Sequence, residues 1–154
     1  MPRFLKLVVL KLVVACATVA LAATGAPVTA TAMDKLRWSY RPLVVFAPTP
    51  AHPDLIRQRS TLSGSRSGLR QRQVVVVTVI GSLVTADLGP APGLSAEALR
   101  ARFGVAQDAF RTVLIGKDGS VKLASDGALS SQRLFATIDA MPMRREEMRR
   151  GRSR

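Results

Sequence analysis

Cysteine, histidine, aromatic side chains and acidic charge are all scarce in this chain. Its 154 residues include one cysteine, Cys16, and one histidine, His52. A lone cysteine forms no intrachain disulfide and supplies no Cys-x-x-Cys pair, so dithiol exchange within one chain is excluded. Zinc sites draw on several His or Cys ligands, and one histidine does not make such a set, so no metal and no cofactor are expected. Aromatic residues make up 5% of the chain, with a single tryptophan and a single tyrosine. That is a poor supply of stacking platforms, and sequence-specific nucleic-acid recognition is not expected. Ten acidic residues face 23 lysines and arginines, a formal net charge of +13. A membrane-spanning helix needs about 18 or more apolar residues, and the apolar stretch from Leu12 to Ala23 is shorter than that.

What the N-terminus does have is the order of a secretory signal. Arg3 and Lys6 form a positive start, the apolar stretch follows Lys11, and Gly25 and Pro27 break it. Ala30-Thr31-Ala32 then offers a small-x-small cleavage site. Residues 1–32 are therefore read as a signal peptide, and the chain as exported, periplasmic or extracellular, with no transmembrane segment after cleavage. A second reading is lipidation at Cys16, because Val13-Val14-Ala15-Cys16 loosely matches a lipoprotein box. Lys11 stands against it, where the box needs an unbroken apolar run. Cleavage after Ala32 removes Arg3, Lys6, Lys11 and Cys16, leaving 20 basic and 10 acidic residues, a charge of +10. Two explanations of that charge stand: an arginine-rich coding bias that also aids solubility, or a polyanionic partner.

Along the mature chain, Leu43-Val44-Val45-Phe46 is a short apolar run closed by Pro48 and Pro50, the pattern of a buried strand. Pro53 suits the first turn of a helix from His52 to Leu62, with Leu55, Ile56 and Leu62 on one face. The composition of Ser63 to Gly68 suggests a flexible loop. The run from Val74 to Ile80 does not alternate, which predicts a central strand covered on both faces. Gly81 to Leu94 is rich in Gly and Pro and reads as a connection. Ser95 can cap a helix carrying Leu99 and Phe103. Thr112 to Ile115 and Val121 to Leu123 are predicted to pair as a hairpin about Asp118-Gly119. A last helix places Leu134, Ile138 and Met141 on one face, and Pro142 should kink or restart it. The order β-α-β, linking helix, β-β-α is the thioredoxin-like arrangement, an α/β three-layer sandwich, here lacking redox cysteines. The expected domain runs from residue 33 to 143, and residues 144–154 are expected to be a basic tail.

Three blocks carry a family resemblance. The first runs from Leu36 to Pro48 and includes Trp38 and Arg41, with Gln58 following it. The second, Leu114 to Lys122, includes Lys117, Asp118, Gly119 and Lys122. The third, Ile138-Asp139-Ala140-Met141-Pro142-Met143-Arg144, contributes Asp139, Met141, Pro142 and Arg144. On these blocks the chain resembles the bacterial domain-of-unknown-function family numbered four-one-seven-four. That family is similar to thioredoxin-like and peroxiredoxin-like proteins, with related domains in animal extracellular-matrix proteins that carry sushi repeats. The resemblance implies an exported binding role rather than catalysis.

The place where thioredoxin chemistry needs a thiolate, at a helix N-terminus just after the first strand, is Pro48 to Asp54 here, and it has no sulfur. The proline that precedes the third strand of thioredoxins is replaced by Phe110-Arg111. His52 beside Asp54, with Gln58 near, leaves open an enzyme or enzyme-accessory role. Gly116-Lys117-Asp118-Gly119 lacks the earlier glycine and the Ser or Thr of a phosphate loop. Trp38 and Tyr40 are read as packing groups. Arg57, Arg59, Arg66, Arg70 and Arg72 fall in a stretch with no acidic residue, and residues 144–154 carry six arginines against Glu146 and Glu147. Guanidinium forks suit phosphate, sulfate and carboxylate oxygens, so an anionic polymer or an envelope protein is the expected partner. N-terminal sequencing of the protein released by producing cells is expected to start at Met33. A lipid on Cys16, or an intact Met1, would overturn cleavage after Ala32.

Overall fold

The computed structural model describes residues 32–91 and 93–152. Almost all of the expected signal peptide lies outside the described residues. Five strands form one sheet: β1 (Arg41–Ala47), β2 (Val74–Ile80), β3 (Leu83–Leu88), β4 (Arg111–Ile115) and β5 (Val121–Ser125). Its order is β3-β2-β1-β4-β5. Only β1 and β2 run parallel; β3, β4 and β5 are each antiparallel to the strand beside them. The helices are α1 (Pro53–Gly64), α2 (Arg66–Gln71), α3 (Ala96–Phe103), α4 (Ser131–Asp139) and α5 (Pro142–Arg152).

The β1–β2 pair sits at the centre because its residues are apolar on both faces. Leu43, Val45, Ala47, Val74 and Val76 point to one side, where they meet Leu55, Leu62, Leu69, Leu134 and Ile138 from α1, α2 and α4. Val44, Phe46, Val75, Val77 and Val79 point to the other, against Met33, Leu36, Ala96 and Leu99. Three layers result, with the sheet in the middle. The helix starts follow local rules: His52, Ser95 and Ser130 each accept a hydrogen bond from a backbone N–H two or three residues on. Gly104 ends α3 in the left-handed conformation that glycine adopts without strain. The hairpin turns at Gly119, also left-handed, as expected from Asp118-Gly119.

Four expectations differ from the structure. The connection from Gly81 to Leu94 contains β3, an edge strand mostly open to solvent, so its residues lack the apolar pattern of a buried one. The Ser/Gly loop contains the start of α2, which is fixed by burial of Leu69 rather than by helix propensity. The described part of the expected basic tail, 144–152, is continuous with Met143 and forms most of α5, whose Glu147 pairs with Arg41 of β1. Ile56 is 56% exposed, and Gln58 takes the buried position instead.

Val77 is fully buried between the helical layers. An isolated carboxylate there would cost several kcal/mol, against a total stability of about 5–15 kcal/mol. Val77→Asp is therefore expected to abolish the cooperative thermal transition seen by circular dichroism. A variant that still melted cooperatively near the parent temperature would show that β2 is not central.

Candidate functional site

Two ends of the sheet hold the residues singled out above. At the C-terminal end of β1, the loop at 48–52 leads into α1. The His52 Nδ1 accepts the Asp54 N–H at 3.3 Å, which caps the helix. The imidazole stacks on Phe110, just before β4, with ring centroids 5.3 Å apart and planes 6° from parallel. The Asp54 carboxylate accepts from Arg57 at 2.6 Å and from the Ala128 N–H at 3.3 Å. Those hydrogen bonds, Arg57 first, hold its pKa below the ordinary value. Gln58 is buried and exchanges two hydrogen bonds with the Leu129 backbone, at 2.7 and 3.2 Å. Asp54 and Gln58 thus anchor the loop before α4, while His52 caps α1 through Nδ1 and stacks on Phe110.

Arg100, which the sequence did not single out, is buried at this same end. Its guanidinium donates to the Ala47 carbonyl at 3.2 Å and the Ala106 carbonyl at 2.7 Å. Burial lowers its pKa. It ties α3 to the last residue of β1, 5.5 Å over the Phe46 ring.

At the opposite end, three blocks of the sequence meet. Arg41, the first residue of β1, is completely buried. It donates to the Arg72 carbonyl at 2.9 Å and to Glu147 Oε1 at 3.0 Å. Lys117, at the end of β4, reaches the same carboxylate oxygen at 2.8 Å and also bonds Gln73. Arg144 spans Glu147 and Asp139, both at 3.4 Å. Arg72 chelates Asp139 at 2.6 and 3.0 Å and lies 4.2 Å over the Phe135 ring. Four cations therefore share two carboxylates. Burial alone would raise the pKa of Glu147, but the hydrogen bonds from Lys117 and Arg41 outweigh it and hold it below the ordinary value. Asp139 is lowered in the same way, burial being overcome by Arg72 and Arg144.

Other motif residues build turns. Lys122 donates to Asp118 at 2.7 Å, and Ser120 donates to it twice, so the Asp118 pKa falls to about 2. A side chain on Gly119 would press on Arg37 in a left-handed backbone. Met141 is buried under α4, and Pro142 restarts the helix as expected. Trp38 is not a packing group: it is 62% exposed. Its φ of 65° is an uncommon one for a bulky residue, in the turn that delivers the chain to β1. The Trp38 backbone N–H donates to the Lys117 carbonyl at 2.8 Å.

The five arginines of the acid-free stretch divide. Arg57 pairs with Asp54, Arg72 with Asp139, and Arg66 donates to the Asp87 carbonyl at 2.9 Å. Arg59 and Arg70 are exposed and have no ion-pair partner among the described residues. Glu147 was missed as well; the signal was a lone acidic pair inside an arginine-rich segment. Among the described residues no three His, Cys, Asp or Glu side chains gather into a metal-binding group, and no helix is long and apolar enough to cross a membrane.

This architecture matches solved structures of thioredoxin-like proteins. A mutant of peroxiredoxin 6 from Arenicola marina aligns with a TM-score of 0.50 and 14% identity, over 70% of this chain and 63% of that one. This chain thus spans less than two thirds of that protein. Thioredoxin peroxidase I from Plasmodium yoelii aligns with a TM-score of 0.52 and 14% identity, over 74% and 79% of the two chains. Identities this low establish a shared fold. Residues 32–147 match the family described as a domain of unknown function, DUF4174, and the chain belongs to it.

Glu147→Gln is expected to lower stability at pH 7 by roughly 3 kcal/mol, because it leaves Arg41 and Lys117 buried without a counter-charge. A carboxyl held below its ordinary 4.5 stabilises the fold fully above that pH, and the stabilisation is lost as pH falls through the folded value. Melting temperatures of parent and variant should therefore differ clearly at pH 7 and converge as the pH falls well below 4.5. An equal gap at both pH values would mean that Glu147 does not act through its charge.

Proposed function

We propose that this chain is an exported binding module on a thioredoxin-like scaffold, without thiol chemistry of its own, and that its partner is an anionic polymer. The carrying observation is the His52–Phe110 stack. It covers the helix N-terminus where thioredoxin chemistry needs an accessible thiolate, and His52 satisfies that terminus from within the chain. No described residue there can be oxidised to a disulfide. Arg59, Arg70 and Arg133 support the partner's charge: all three are exposed, have no ion-pair partner among the described residues, and are carried by helices on one side of the sheet. Guanidiniums in that setting engage sulfate, phosphate or carboxylate oxygens without first breaking an internal ion pair.

The protein as purified from producing cells is expected to bind immobilised heparin at low salt and to elute as salt rises, since exposed charges are screened beyond about 8 Å at physiological ionic strength. Arg59→Gln/Arg70→Gln/Arg133→Gln should elute at markedly lower salt with an unchanged melting temperature. Insulin reduction with dithiothreitol and peroxide consumption should stay at background. Peroxide turnover proportional to protein concentration would overturn the proposal, as would equal elution of parent and triple variant.

A further inference from the structure

A cavity of about 220 Å³ opens between the α1–α2 pair and the β2–β3 edge of the sheet. Leu62, Leu69, Val76 and Leu88 line it, each nearly inaccessible to solvent. Arg59, Ser63 and Arg66 bring polar groups to it from the helices, and Asp87 does so from β3.

The strand register explains why such a space exists. Val76 pairs with Leu88 and Val77 with Ala86, so Asp87 is an extra residue in β3. A bulge of this kind bends the strand and re-aims side chains. Here it lets the neighbours Asp87 and Leu88 both line the cavity, where a regular strand would send them to opposite faces. The Asp87 carboxylate is taken up by the buried Thr78 hydroxyl, and its carbonyl by Arg66.

The charge around the cavity is unbalanced. Among the described residues Arg59 has no ion-pair partner, and Arg66 uses one of its five N–H donors on Asp87. One carboxylate faces two guanidiniums across an apolar floor. An apolar cavity of about 150 Å³ is enough for a benzene ring, so this one has room for a slightly larger apolar body. We infer that it is a binding site for a small amphipathic carboxylate, its aliphatic or aromatic body on the leucine floor and its head group between Arg59 and Arg66. The inference shares Arg59 with the polymer-binding proposal but is tested apart from it, since Ser63 and Arg66 line the cavity and Arg70 and Arg133 do not.

Octanoate, its neutral counterpart 1-octanol and the bare head group acetate are titrated into the purified protein by calorimetry. Octanoate is expected to bind saturably and acetate not at all. Arg59→Gln/Arg66→Gln should weaken octanoate about tenfold, the loss of a charge-assisted hydrogen bond, and leave 1-octanol unchanged. Ser63→Phe, a change on an exposed turn of α1, should block both at an unaltered melting temperature. No saturable octanoate binding, equal octanoate affinity in the double-Gln variant, or full binding by the Ser63→Phe variant would each overturn the assignment.

Discussion

The ion pair between Arg41 and Glu147 joins residues 106 apart, the first strand and the last helix. A guanidinium with no solvent access is tolerable only if its charge is met, and Glu147 meets it. The same carboxylate meets Lys117, and Arg144 and Asp139 extend the network to Arg72. The three motif blocks thus have one shared explanation. The first supplies Arg41, the second Lys117, and the third Asp139, Met141 and Arg144. The string Asp-x-Met-Pro-Met-Arg encodes a helix end, a buried plug, a restart and a returning cation, all needed to lay α5 across one end of the sheet.

The other end of the sheet is closed by different means. Aromatic stacking and a backbone-bonded imidazole take the place that thioredoxin chemistry gives to a reactive thiol. Arg100 adds a buried cation whose partners are carbonyl oxygens, which hold the strand end and the α3 exit together. Polar side chains at this end are spent on loop geometry, so a histidine next to an aspartate indicates a cap rather than a base.

The central strands, the capped helices and the Asp-Gly turn were legible because each is determined locally or by an unbroken apolar run. Val74 to Ile80 has no polar face, so only a doubly covered strand accommodates it. β3 was hidden because an edge strand needs no such run: Leu83 is exposed and only Leu88 is buried. α2 was hidden because its serine and glycine, with the serines just before them, describe a loop, while a single buried leucine and the packing around it make it a helix. The charge network was the least legible. Arginines are plentiful, and nothing near Arg41 in the chain marks Glu147 as its partner. The cavity was likewise beyond reach, because it depends on a bulge that shifts pairing by one residue.

The position of Glu147 on α5, C-terminal to both β1 and β4, also orders the assembly of the fold. A growing polypeptide that has passed β4 but not α5 already holds Arg41 and Lys117, and has no Glu147 to set against them. Its sheet can pair, but one end must keep water around two cations that the finished protein buries. Long-range contacts of this kind come late, since ordering the intervening chain must precede them. Sealing of that end therefore waits for α5, and a fragment truncated before α5 carries an open, hydrated seam where the folded domain is closed.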